Sequence, residues 1–154
     1  MNSLYINEAI NEAKKAYKIG EVPVGAIIVK NDTIIAKAHN LKESLLDPTC
    51  HAEILAIKEA CKAINNWRLS DCTMYVTLEP CPMCASAIAQ SRISNLYIGT
   101  FDDKNGACGS VINIVQNESL NHWINTIWLY NLECSDLMTN FFREQRIKSK
   151  SNNN

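Results

Sequence analysis

The sequence predicts an α/β domain built on a mixed five-stranded sheet, and three observations carry that reading. Two β-branched runs, "VGAIIVK" and "TIIAKAH", are separated by Asn31-Asp32, the composition of a tight turn between antiparallel strands. Further along, "CTMYVTL", "CPMCASAIAQS" and "ISNLYIG" follow one another in the strand-helix-strand order of a parallel crossover. Segments with apolar residues at helical spacing precede and follow both groups, which gives the sheet helices to bury against.

The elements follow in order. Ile6, Ala9, Ile10, Ala13, Ala16 and Tyr17 recur at helical spacing over residues 3–19, with Ser3 placed to cap and Gly20 to stop a first helix. The two hairpin strands come next. "NLKESLLDP" is polar and ends in Pro48, after which "HAEILAIKEACKAI" resumes helical spacing, so His51 and Glu53 open a second helix. Pro82 suits a first helical position, where its missing N–H would be unpaired anyway, so Cys81 and Cys84 open a third. Beyond Gly99, "TFDDKNGACGS" reads as a loop and "NTIWL" as a short fifth strand. A last helix is expected from about Tyr130 toward Lys148. No repeat, linker or second domain is visible, so residues 1–150 are expected to form a single domain and 151–154 a disordered tail.

A chain of 154 residues fits one domain, able to bury roughly 68–70% of the surface its unfolded form exposes, without disulfides. Seven cysteines are an odd set, and the N-terminus lacks the apolar core of a signal peptide, which implies a reducing, cytoplasmic compartment. Apolar runs such as "AIIV" fall far short of the about 20 residues that span a bilayer. With 15 basic and 16 acidic residues, the net charge of −1 exerts no global pull on nucleic acid or anionic lipid. An RNA partner would therefore need a local patch. "FFREQRIKSK" offers one, with Arg143, Arg146 and Lys150 at i, i+3 and i+7 on one helix face, although a solvated helix end with cations favoured by the macrodipole is the commoner meaning of such a run.

The chemistry concentrates in two stretches, "PTCHAEI" and "TLEPCPMC". Together they supply one imidazole and two thiols, a donor set suited to zinc, with His51, Cys81 and Cys84 as ligands. Three protein ligands leave a fourth tetrahedral position for a water, whose pKa the metal lowers to about 7. Both stretches open helices, where the partial positive charge favours thiolate. His51 and Glu53 would point roughly 200° apart around a regular helix, so they can share a site only beyond its first turn. There Glu53 would stand beside the water without ligating the metal, placed to take its proton and return it to a leaving group. A lone Cys-x-x-Cys can instead be a redox pair, and a structural zinc site would need a fourth ligand from Cys50, His39, Cys72 or His122. The remaining Cys61, Cys108 and Cys134, like Cys72, read most simply as small buried residues.

With those residues in view, "HAEI" and "TLEPCPMC" resemble the zinc-dependent nucleoside and nucleobase deaminases of the cytidine/deoxycytidylate deaminase superfamily. The segments "EVPVGAIIV", "AHN", "DPTCHAEI", "NNWRLSDCTMYVTLEPCPMCASAI", "SRI", "GACGS", "NH" and "FFR" resemble, in order, the bacterial tRNA-specific adenosine deaminases. The resemblance implies a cytidine-deaminase-like three-layer α/β/α sandwich with one zinc per chain, working as a homodimer. It implies conversion of adenosine to inosine at the wobble position, with the tRNA anticodon stem-loop as partner. By the same resemblance Asn40 would read the base and Val24 would wall its pocket. Asp102, Lys104, Asn121, His122, Phe142 and Arg143 would contact the anticodon loop. Duller roles exist for several: Asn40 as a turn residue, Val24 as core, Phe142 as a packing anchor.

The chain departs from the family pattern at Cys50, Phe101 and Trp123, where a small apolar residue, a polar residue and a charge are more usual. Two alternatives share the motif: a free-purine deaminase acting on guanine, and a non-catalytic zinc-containing RNA-binding or partner subunit. The intact Glu53 speaks against the second, since a structural site needs no carboxylate there.

Overall fold

The structure is a computed structural model in which residues 2–154 are described. The elements run α1 (Asn2–Lys18), β1 (Gly25–Lys30), β2 (Thr33–His39), α2 (Ala52–Ile64), β3 (Cys72–Leu78), α3 (Pro82–Gln90), β4 (Asn95–Thr100), β5 (Asn125–Trp128) and α4 (Leu132–Asn152). The sheet order is β2-β1-β3-β4-β5. β1 pairs antiparallel with β2 and with β3, while β3–β4 and β4–β5 are parallel, so the sheet is mixed as expected. Asn31 and Asp32 have φ of 48° and 57°. Left-handed backbone at both central residues makes a hairpin turn whose twist matches the flanking strands, and Asn and Asp tolerate it better than other side-chain-bearing residues.

Alternation along the strands separates two cores. Ala26 and Ile28 of β1, with Met74 and Val76 of β3, join Ala52, Ala56, Ala85 and Ile88 of α2 and α3 on one face. Ile27, Val29 and Tyr75 turn the other way, toward Tyr5, Ile6, Ala9 and Ile10 of α1 and Cys134 of α4. This period-two partition yields the three-layer α/β/α arrangement. Gly25 permits the tight packing of α1 on β1, since a Cβ there would overlap the carbonyl of Ala9.

Boundaries of the first and last helices differ from expectation: α1 already includes Asn2 and Ser3, so Ser3 stands inside the helix rather than at its cap. The last helix begins at Leu132 rather than near Tyr130, because Asn131 caps it, its side chain accepting the Cys134 N–H at 3.1 Å. It then continues past Lys148 to Asn152, with Ser151 Oγ donating to the Lys148 carbonyl at 2.9 Å. Among the described residues no helix is long and apolar enough to cross a membrane.

The topology fixes where a site can form. α2 and α3 lie on the same face, and the chain leaves the carboxyl ends of β3 and β4 at Leu78 and Thr100, where an antiparallel pairing gives way to a parallel one. In open α/β sheets ligands gather outside such strand ends, at the point where the connections change direction. Glu79 N donates to Thr100 O at 2.8 Å and holds the two exits together.

Candidate active site

His51 is the N-cap of α2 and Cys81 the N-cap of α3, both with extended backbone. Neither side chain is used to cap its own helix, so each is free to turn away from it. They turn toward one another. His51 Nδ1 lies 3.6 Å from Cys81 Sγ and 3.5 Å from Cys84 Sγ, and the three donor atoms all fall within 4.8 Å of one another. Tetrahedral zinc with ordinary Zn–N and Zn–S bonds separates its nitrogen and sulfur ligands by roughly 3.6 Å, so both edges match. The residues present therefore fit a zinc ion.

No fourth donor joins this group among the described residues. His39 Nδ1 is paired with Glu12 Oε2 at 2.8 Å, His122 with the guanidinium of Arg92, and Cys72 sits in the core on β3. Cys50 is buried, and its thiol is pushed up by burial and by a hydrogen bond to Asp47. Among the described residues no four-ligand site is assembled, so a metal held by His51, Cys81 and Cys84 would keep one coordination position for a water or substrate.

Glu53, in the first turn of α2, is 4% exposed, and its Oε2 accepts from Cys84 Sγ at 3.5 Å. Burial pushes its carboxyl up to about 7; negative charge on Cys81 adds to this and His51 opposes it. The Cys81 thiol is lowered to about 4, chiefly by the hydrogen bond from Cys84, with burial opposing and His51 assisting. Cys84 is pushed up by that same sharing and by burial, and His51 is raised chiefly by its bond to Cys81. Cys81 therefore favours the thiolate, while Cys84 and Glu53 are held toward their protonated forms.

His51, Glu53 and Cys81 line a cavity of 710 Å³, with Cys84 buried behind them. Of the residues expected from sequence, it brings Val24, Asn40, Asp102, Lys104 and Phe142 around His51, Glu53 and Cys81. Asn40 is largely buried and also holds its own loop, Oδ1 accepting Lys42 N at 3.1 Å and Nδ2 donating to Val22 O at 3.4 Å, so its turn role and its place in the wall coexist. Val24 likewise belongs both to the core and to the wall.

Three expected residues lie elsewhere. Arg143 is exposed, Nη2 donating to Asn140 Oδ1 at 2.7 Å, and Arg146 is the cation of that helix that reaches the cavity. His122 binds Arg92, whose guanidinium stands 5.9 Å from the Trp67 ring, and neither Asn121 nor His122 borders the cavity.

Sequence reading missed two buried carboxylates. Glu79, 2% exposed, accepts the backbone N–H of Asp102 at 3.0 Å, of Cys108 at 3.0 Å and of Ser110 at 3.1 Å, as well as the Ser110 hydroxyl. It thereby grips the loop that supplies Phe101 to Asn105 as one wall. Gly106 makes room for this, since a Cβ there would overlap the carboxylate. Glu21, 1% exposed, grips the opposite loop, accepting Glu43 N at 2.8 Å and Ser44 N at 3.4 Å. The available signal was a charge inside otherwise apolar stretches, "TLEPC" and "GEVPVG".

The family model for MafB19-like deaminases matches residues 2–146. Fold and site together define a hydrolytic deaminase with the cytidine-deaminase-like architecture. The tRNA-specific adenosine deaminase of Bacillus subtilis (strain 168) is 49% identical over 151 residues, covering 97% of this chain and 94% of the relative. A solved structure from work on A-to-I editing by tRNA:A34 deaminases at the wobble position of transfer RNA superimposes with a TM-score of 0.84 at 38% identity, covering 88% of this chain and 99% of that one. The chain belongs to the tRNA-specific adenosine deaminase family. Guanine deaminase from Bacillus subtilis is more distant, with 30% identity, a TM-score of 0.64, and coverage of 79% of this chain and 87% of that one.

Proposed function

We propose that the protein hydrolyses adenosine to inosine at the wobble position of a tRNA anticodon, with residues 1–150 forming one deaminase domain and one zinc ion held by His51, Cys81 and Cys84. The observation that carries this is the pair of 3.6 and 3.5 Å imidazole–sulfur separations beside a buried carboxylate. Zinc bound there would supply Lewis acidity and a nucleophilic oxygen at neutral pH. Glu53 takes one proton as water adds to C6 of the purine and passes it to the ring nitrogen, then takes the second as the C6 hydroxyl becomes a carbonyl and passes it to the amine, so that the C6–N bond breaks and ammonia leaves. Burial raises the Glu53 carboxyl above the ordinary carboxylate range, which favours holding the proton between its two transfers. Asn40 and Val24 orient and enclose the base, and Asp102, Lys104, Phe142 and Arg146 meet its flanking backbone. A base can reach such a cavity only when unstacked, which an anticodon loop allows at low cost.

We further infer a cytoplasmic location and a homodimer. All seven cysteines are free, which supports a reducing compartment. The loop between β4 and β5 exposes Val111, Ile112, Leu120 and Trp123, apolar surface available to a second copy. Incubation with a tRNA anticodon stem-loop and, separately, with free guanine and free adenosine tests the substrate. Inosine in the stem-loop is the expected product; rapid turnover of guanine with none in RNA would overturn the reading.

A further inference from the structure

A second cavity of 410 Å³ adjoins the first, and Phe101 lines both. Its other walls include Ser110, Asn113, Gln116, Trp128 and Tyr130. The Trp128 and Tyr130 rings are nearly parallel, with centroids 6.3 Å apart and planes 23° from alignment. Trp128 is anchored against the core, whereas Tyr130 belongs to neither core cluster and is 70% exposed. Tyr130 also has φ of 48°, left-handed backbone that is costly for a bulky side chain. Backbone strain that holds an aromatic ring in solvent points to a use for that ring outside the fold.

The polar walls are equally specific. Asn113 Oδ1 accepts Gln116 N at 2.9 Å, and Gln116 Nε2 donates to Ile124 O at 3.0 Å. These bonds fix the orientation of both amides. Asn113 Nδ2 and Gln116 Oε1 are left without a partner among the described residues, one a donor and the other an acceptor. The residues lining this cavity offer aromatic faces, amides and a hydroxyl, groups suited to recognition.

We propose that this cavity is a second base-binding subsite, in which a nucleotide flanking the reacting adenosine lies against Trp128 and Tyr130 and presents its edge to Asn113 and Gln116. The proposal rests on the reading that the substrate is a loop of RNA. Unpaired bases are held by stacking on aromatic side chains and by hydrogen bonds to their edges, and the cavity offers both in a volume within the range of small-ligand sites. Phe101, as the shared wall, makes the occupant a neighbour of the base in the first cavity.

The test uses Tyr130→Asn, because Asn tolerates the left-handed backbone that Tyr130 occupies, with Tyr130→Phe as the variant that keeps the aromatic face. Stem-loops are prepared intact and with an abasic nucleotide immediately 5′ or 3′ of the target adenosine. Tyr130→Asn should raise KM for the intact stem-loop about tenfold with a much smaller change in kcat, in line with the loss of one base–aromatic stack, while Tyr130→Phe restores KM. One of the abasic stem-loops should show the same rise with wild type and no further rise with Tyr130→Asn, the non-additivity expected of partners in one contact. Additive losses at both abasic positions, or an unchanged KM in Tyr130→Asn, would overturn the subsite. So would a change of oligomeric mass in Tyr130→Asn, which would give this face to a second copy. Failure of wild type to form inosine in the intact stem-loop is a distinct result and removes the substrate reading instead.

Discussion

Glu53 Oε2 and Cys84 Sγ, carried by different helices, lie 3.5 Å apart in a buried contact. A carboxylate touching one of three clustered donors, yet outside the cluster itself, separates two functions that neighbouring residues often share: holding a cation and moving a proton.

Mutation should separate them as well. Glu53→Gln should retain about one zinc per chain by elemental analysis and lose at least 10²–10⁴-fold in kcat, the usual worth of a positioned proton carrier. Cys84→Ala should lose the metal and much of its stability, since binding at such a site is coupled to folding. Full zinc in Cys84→Ala, or absent zinc in Glu53→Gln, would contradict the division.

The raised Glu53 carboxyl has a signature in the metal-stripped protein. Folding here opposes ionisation, so the group subtracts stability as pH rises from its ordinary value near 4.5 through about 7. At pH 8 the stripped Glu53→Gln variant should be more stable than stripped wild type by of order 1–3 kcal/mol. At pH 4, where both side chains are neutral, the difference should vanish. Urea titrations at the two pH values provide the comparison, and a pH-independent difference would show that the carboxyl is not raised.

Glu79→Gln removes the charge that four donors of one loop share. It should cost about 1–3 kcal/mol, as expected for charge-assisted bonds lost in a buried setting. Faster hydrogen exchange should be confined to the amides of Asp102, Cys108 and Ser110. KM for the stem-loop should rise more than kcat falls. Uniformly faster exchange would mean the whole fold had loosened.

Arg146 borders the cavity and Arg143 is turned to Asn140. Arg146→Ala should therefore weaken stem-loop binding more than Arg143→Ala and lower the salt dependence of binding by about one ion, the mark of a lost phosphate contact. Equal effects of the two variants would return the whole helix face to the RNA.

Much of this was legible in the sequence for local reasons. Pro48 and Pro82 mark helix starts, so the placement of His51 and Cys81 could be read without tertiary information, and Asn31-Asp32 announced its turn. Glu79 and Glu21 were not legible as anchors because their partners are backbone N–H groups more than 20 residues away, which every sequence carries and none displays. Helix phase showed that Arg143, Arg146 and Lys150 share a face, but which of them meets the cavity depends on how α4 lies across the sheet. The start of α4 at Leu132 is set by the Asn131 side chain accepting the Cys134 N–H, a contact that apolar spacing does not register.

The grip of Glu79 on its loop falls mostly on main-chain amides. The identities of residues 102 and 108 are thus not dictated by it, and only Gly106 and Ser110 are tied to it by their side-chain size or hydroxyl. Phe101, Asp103, Lys104 and Asn105 stand on the same wall without taking part in that bond set. The loop is accordingly a fixed frame with interchangeable panels: substrate preference can drift, or be redesigned, at the exposed positions while the spacing from wall to metal-ligand cluster is preserved.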